Sequence, residues 1–456
     1  MGTEEKNVNR LGIGNLLLWS ATGASGAVQV VLLSFVTLYC TNALGLPAAL
    51  VGTLFMLTKI FDGFTDLIAG YIVDKTNTKL GRGRPYDLCI IGLWITTYLL
   101  YAVPTQLSTV AKCVWIFICY SLCQSVFKTF MNAAGTPYMV RAFNNEQKYI
   151  TLNSIGGIIT TACVVVFNVI FPMFYAKIIF DAAGWSKLIG TIAIPLCIIG
   201  LLRFFFIPEK YQVDATSQHT KLSDVITLLK TNKYIYPIAV VNLVVGISSN
   251  MSVGSYYFLY IVKNVEISGA LSMIGMLAML SMAFYPMLLK KISTKQLIQG
   301  GLLLTLVSGA VSWFAMDRIP LLGLATFIAG CANLPSSYMA GILIIDCADY
   351  NEWKGNARME GTLSSVTGFS NKVGAALGTF VMGIMLTASG FDGNLEIQTT
   401  AANTMIRFIY AWIPAIFAMI GFAGMSFYKL DKQKAQISAD LEIRRTQKGG
   451  VNNERE

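Results

Sequence analysis

Residues 57–74 read LTKIFDGFTDLIAGYIVD. The run sits in an apolar stretch long enough to cross a bilayer, which takes about 20 residues of helix, yet it carries Lys59, Asp62 and Asp66. At ~100° per residue these three fall within about 60° of one another on the helix face. A charge at the bilayer centre costs at least ~2.5–3.5 kcal/mol, so such residues are functional candidates by default. Two carboxylates at i and i+4 repel each other if both are ionised. A monovalent cation or a proton between them removes the conflict, and oxygen ligands suit hard cations. The plain alternative is an internal salt bridge to Lys59, but one Lys cannot neutralise two acids.

Outward from this stretch the pattern repeats. Of 456 residues, 55% are hydrophobic and 13% charged, against about 25% charged in a soluble domain. Apolar runs place spans at 11–41, 47–74, 86–104, 113–140, 151–173, 187–207, 234–262, 267–289, 296–316, 320–347, 362–389 and 402–428. The fold class this predicts is all-α: a polytopic membrane protein of twelve transmembrane helices. Of the 34 Lys and Arg, 24 lie at the N-terminus, in the even-numbered connections and in the tail. Four lie in the odd connections, Lys187 stands at the first position of a span beside one of them, and five lie further within spans. That asymmetry predicts a cell-membrane protein with both termini cytoplasmic, in a bacterial cell the inner membrane. It also gives the formal charge of +10 a membrane explanation rather than a nucleic-acid one.

The longest internal connection, 208–233, is polar and divides the spans six and six. The expected organisation is a bundle over 1–207, a cytoplasmic middle loop over 208–233, a second bundle over 234–428 and a cytoplasmic tail over 429–456. Two such halves with a mid-membrane site between them are the layout of major-facilitator carriers. The tail is charged and ends in KGGVNNERE, which reads as a solvated extension. The nine cysteines read as reduced, small apolar fillers. The N-terminus has no cleavable-signal pattern. The single histidine, His219, lies in the middle loop, which argues against His-based catalysis or metal binding.

Other charges fall within spans. Lys372, in TGFSNKVGAALG, lies about ten residues into its span, too deep to snorkel easily. With Asp62 and Asp66 ionised and Lys372 protonated, a shared site would be one charge negative, and one bound cation would balance it. Arg203 and Arg407 lie near span ends and read as snorkelling. Lys128, mid-span beside Thr129, has no account at this level.

Three segments together resemble the glycoside–pentoside–hexuronide:cation symporter family, in particular its melibiose permease. They are FDGFTDLIAGYIVDKTNTKLGRGRPY (61–86), ADYNEWKGNARMEG (348–361) and SNKVGAALG (370–378). The resemblance implies a major-facilitator fold and cation-coupled glycoside uptake by a protein that works as a monomer, with Na⁺, Li⁺ or H⁺ as coupling ion. It implies cation ligation by Asp62 and Asp66, with Thr129 as a further oxygen ligand. Thr65 stands where the melibiose permease has an Asn. Lys372 matches the family's central Lys, a charge-balancing role shared with Lys59. Asp346, Asp349, Glu352, Arg358 and Glu360 match a cytoplasmic ion-pair gate.

The sugar site departs from that relative. Its first-span Asp falls on Gly26, its fourth-span Asp on Asn132, its fifth-span Arg on Gly157, and its tenth-span aromatic on Ser337 beside Tyr338. Asn132 retains hydrogen-bonding capacity for hydroxyls, and Trp19, Gln29, Tyr138, Asn242, Tyr256 and Tyr338 are further pocket candidates. A galactoside is therefore not implied, and a non-sugar solute such as an amphiphile or an organic anion is the alternative. A remoter one is a Mg²⁺-dependent intramembrane prenyltransferase, with Asp62/Asp66 as one of its aspartate-rich motifs and Asp346/Asp349 as the other. The span count and the scattered basic residues weigh against it.

Overall fold

A computed structural model describes residues 12–143, 146–211, 232–356 and 360–453. The described regular structure is helical, as a chain whose backbone must satisfy itself in lipid requires. The first six helices are α1 (Ile13–Ala43), α2 (Ala48–Lys75), α3 (Cys89–Leu100), α4 (Thr109–Phe143), α5 (Glu146–Tyr175) and α6 (Ala182–Phe206). After the middle connection come α7 (Ile235–Ile261), α8 (Glu266–Leu277), α9 (Thr294–Ala315), α10 (Ile319–Trp353), α11 (Glu360–Ala388) and α12 (Thr400–Ser426). A further helix, α13 (Lys434–Asn453), follows. Among the described residues nine helices are long and apolar enough to cross a membrane. α2 carries five charged residues and α3 has only 12 residues.

Packing divides the chain into two compact units. The first comprises Met1–Thr216 with Ser252–Met273 and Thr379–Met405. The second comprises Ser217–Met251, Ile274–Gly378 and Ile406–Glu456. The boundary in α7 falls where its helix is interrupted, with Ser252 at φ 45°.

Within the first unit, polar side chains tie helices whose apolar surfaces gain little from one another in lipid. Thr22 Oγ1 donates to the Gly200 carbonyl and Ser25 Oγ to the Leu196 carbonyl, each at 2.7 Å. Trp94 Nε1 donates to Ser25 Oγ at 2.9 Å. The ends of α1 and α2 remote from the N-terminus meet segments from beyond the middle connection. Thr41 Oγ1 lies 2.9 Å from the Tyr256 hydroxyl, Asn42 bonds the Tyr260 hydroxyl, and the Ala49 N–H donates to Thr387 Oγ1 at 2.8 Å. Here α2 and α11 touch backbone to backbone: a Cβ on Gly52 would stand 2.7 Å from the Thr379 carbonyl oxygen and 3.1 Å from the Gly383 Cα. Overpacking such a seam costs about 1–3 kcal/mol, so Gly52→Val is expected to part the two helices. Cysteines placed at Ala49 and Thr387 should form a disulfide readily with Gly52 present and slowly with valine there.

Three expectations are corrected in this architecture. Arg203 does not snorkel; it is buried and paired bidentately with Asp87, Nη2 to Oδ1 at 2.5 Å and Nε to Oδ2 at 2.8 Å. Its guanidinium also lies 4.5 Å from the Trp19 ring centre and 5.1 Å from that of Tyr138. Burial is possible because Asp87, at the entrance of α3, supplies the counter-charge. Beside this pair Glu209 accepts the backbone N–H groups of Arg82, Gly83 and Arg84 at 2.7–2.9 Å, pinning the GRGRP loop.

In the second unit the charged tail is not wholly solvated. In α13, Ile437 and Leu441 recur at i and i+4 and are buried in a cluster with Ile298, Leu343 and Tyr428. Polar links from α10 hold the helix there: Asp346 pairs with Lys434 at 2.7 Å, and Trp353 Nε1 donates to Asp440 at 2.8 Å. Arg407 likewise does not snorkel. It donates to the Trp313 carbonyl at 2.9 Å and lies 4.6 Å over the Trp313 ring.

Candidate functional site

α2 starts after Pro47 and runs 28 residues without a proline, so its i,i+4 register holds through the charged stretch. It projects Asp62 and Asp66 toward α4. Thr129 Oγ1 lies 2.9 Å from Asp66 Oδ1 and 3.3 Å from Asp62 Oδ1. The sequence-predicted trio is thus brought together by two helices of one unit. Asp62 is half-buried and Asp66 exposed.

α4 is modified at this point. Leu122–Lys128 is a π-helical segment, and Thr129 Oγ1 also reaches the Gln124 carbonyl, five residues back, at 3.1 Å. Such bulges shift the following side chains and cluster at functional sites. A hydroxyl has one proton and two lone pairs. Thr129 therefore serves one of its three acceptors at a time and keeps a lone pair to offer a cation held by the carboxylates. Thr65 does not join them: its hydroxyl donates to the Asp62 backbone carbonyl at 3.0 Å. Lys59 is half-buried beside Tyr120, within electrostatic reach of Asp62.

The remaining candidates scatter. Tyr138 is fully buried, its hydroxyl donating to the Ile207 carbonyl at 2.5 Å, and Trp19 packs on it at 5.2 Å; both wall in Arg203. Gln29 is buried between helices, donating to Thr97 Oγ1 at 3.2 Å and to Cys123. Tyr256 is buried at the seam with Thr41. Asn132 is exposed, one turn beyond Lys128 on α4. In the second unit, Asn242 donates to its own helix at Ile238, Tyr338 is exposed, and Lys372 is half-buried on α11. Of the gate motif, Asp346 is engaged by Lys434, and Asp349 and Glu352 are half-buried on the same helix. Arg358 lies outside the described residues, as does the side chain of Glu360.

The sequence reading left Lys128 unexplained. Its Nζ donates to the Gly26 carbonyl on α1 at 2.9 Å. A Cβ on residue 26 would stand 2.8 Å from that Nζ, so the glycine clears the space the ammonium fills. No spacing rule could have paired residues on two different helices.

A helical membrane protein with a carboxylate pair and a hydroxyl converging inside its helices has the makings of an ion-linked solute carrier. A sequence model of the MFS/sugar transport protein family matches residues 19–432, and the chain belongs to that family. Two relatives align over most of their length. The isoprimeverose transporter of Lactiplantibacillus pentosus is 27% identical over 432 residues, covering 92% of this chain and 88% of its own. The glucuronide carrier protein homolog of Escherichia coli (strain K12) is 26% identical over 428 residues, covering 90% and 91%. Among solved structures, a point mutant of the nucleoside transporter NupG matches with TM-score 0.69 at 15% identity, over 90% of this chain and 99% of that one. A bacterial homolog of the lysosomal transporter Spinster matches with TM-score 0.68 at 13% identity, over 93% and 97%. These likenesses concern the fold. The protein is a membrane-embedded transporter and not an enzyme, and the prenyltransferase alternative falls with that assignment.

Proposed function

We propose that the protein is a secondary active transporter that couples import of a sugar-type solute to a monovalent cation bound at Asp62, Asp66 and Thr129. The observation that carries this reading is the convergence of both carboxylates on the one Thr129 hydroxyl. The names of the relatives, an isoprimeverose transporter and a glucuronide carrier homolog, support a glycoside as solute. Na⁺ is the proposed ion, with Li⁺ and H⁺ accommodated by the same oxygens. The positive-inside pattern puts the termini in the cytoplasm and hence the Gly52–Thr379 seam at the outer face.

In this mechanism the cation binds first and cancels the repulsion between the two acids, so that α2 and α4 close on it. Solute then binds, and the outer seam forms as the carrier opens inward. A carrier holding the carboxylates without the cation keeps unbalanced charge in lipid and pays for it. Lys372, on α11, is proposed to complete the charge balance. The test is uptake of labelled glycosides into right-side-out vesicles with imposed Na⁺, Li⁺ or proton gradients. Accumulation that follows one of these gradients supports the reading, and uptake indifferent to all three contradicts it. Thr129→Val removes a ligand but no charge, so the cation concentration for half-maximal stimulation should rise roughly 10-fold with the maximal rate little changed.

A further inference from the structure

Thr129 meets Asp62 and Asp66 because α4 winds more widely in the turn before it. Leu122–Lys128 is π-helical, which inserts one residue into the α-helical repeat. Each α-helical residue turns the chain by about 100°, so in an unbroken α-helix the Thr129 side chain would stand about that far from its present direction. A π-helical turn is rare, so contacts must favour it here over the regular helix. α1 supplies them at both ends of the segment. Gln29 of α1 is 0% exposed. Its Nε2 donates to Cys123 Sγ at 3.0 Å and to Thr97 Oγ1 on α3 at 3.2 Å. Its Oε1 accepts from Gln124 Nε2 at 3.4 Å. Both N–H groups and the oxygen of the amide are thus engaged. Cys123 and Gln124 lie in the first turn of the π-helical segment, and the Gln124 backbone carbonyl is the one that Thr129 Oγ1 reaches at 3.1 Å. One turn back on α1, the Gly26 carbonyl accepts from Lys128, the last residue of the segment.

From these contacts we infer that Gln29 is a positioning residue for the cation: its amide fixes the wide turn of α4 that aims the Thr129 hydroxyl at the two carboxylates. The inference rests on the symport reading and deepens its cation site. Gln29 acts through Gln124 and the turn it belongs to, not on the cation itself. A glutamine wholly removed from water must keep its amide hydrogen-bonded, so the contact persists while α1 and α4 stay packed. Polar side chains also serve simply to tie helices together in lipid. The two roles differ in one respect. A tie steadies the bundle as a whole, whereas a positioning group matters to the cation only while Thr129 has a hydroxyl to aim.

The experiment measures Na⁺ and Li⁺ binding to the purified full chain. NaCl or LiCl is titrated against choline chloride at constant ionic strength, and the rise in melting temperature is read. Gln29→Met keeps the length of the side chain and removes the amide. It is expected to raise the dissociation constant of the cation roughly 5–10-fold. Gln124→Met breaks the same contact from α4 and should act alike; it decides the matter where Gln29→Met fails to fold. Thr129→Val should raise the constant about 10-fold, and adding Gln29→Met should then raise it no further, whereas independent effects would multiply to roughly 50–100-fold. Methionine variants that both bind the cation within about two-fold of the wild type overturn the inference and spare the cation site. A double variant whose loss is the product of the single losses overturns it too, because Gln29 is then only a tie. A Thr129→Val chain that binds like the wild type sinks the proposed site and the inference with it. A wild type that neither ion stabilises also overturns the inference, and leaves the symport reading with a proton.

Discussion

Replacing Asp66 or Asp62 by Cys is expected to abolish cation-driven accumulation while the protein still inserts and folds. Both carboxylates share the Thr129 hydroxyl, so removing one takes a full charge and an oxygen ligand from the cation. Truncating one member of a hydrogen-bonded charge pair costs about 2–5 kcal/mol, which lowers cation affinity ~30-fold or more. At ordinary ion concentrations the site is then empty, and solute crosses only down its own gradient, if at all. Asp66, exposed and nearer the hydroxyl, and Asp62, half-buried, should behave alike in this respect. A symmetric loss is what a shared site predicts; a single critical acid is what a proton relay through one residue would give.

The second large effect concerns stability. Asp87→Ala strands the Arg203 guanidinium among Trp19, Tyr138 and α6, with both charges of the native pair almost wholly buried. Leaving one buried charge without its partner typically costs about 3–5 kcal/mol. The melting temperature of the detergent-solubilised protein should fall sharply, and expression with it. Replacing both residues by apolar ones of similar volume, Asp87→Leu with Arg203→Met, should recover most of the loss, because the penalty lies in the stranded charge rather than in the missing bond. If Asp87→Ala melts like the parent, the pair is not a structural anchor.

The parts of the site that were legible in the sequence are those carried along one helix. The i,i+4 period of α2 puts the two acids on one face whatever their surroundings, and the motif resemblance supplied Thr129. What crosses between helices was not legible. Arg203 was read as snorkelling because its partner lies 116 residues away, outside the reach of any periodicity. Trp19 and Tyr138, pocket candidates by sequence, pack against that same arginine instead. Thr65 sits at the right place on α2, but its hydroxyl takes the ordinary option of a backbone carbonyl on its own helix. The π-helical segment in α4 carries no composition signal, yet it sets where Lys128 and Thr129 point. The tail helix was hidden because Ile437 and Leu441 are isolated among charges, and only the partner surface of α10 makes a face of them. The fold itself was legible because length and apolarity alone dictate helices in lipid.

Coupling at the carboxylate pair is tested most directly by reversing the driving force. Proteoliposomes holding the full chain are prepared with equal cation concentrations on both sides, and a transported sugar is added outside only. Cation entry is then followed with an ion-selective dye. The account predicts that the sugar gradient drives the cation uphill into the wild-type vesicles and that Asp62→Cys and Asp66→Cys vesicles show no such movement. Sugar entry without cation movement in the wild type, or cation movement that survives either substitution, would contradict it.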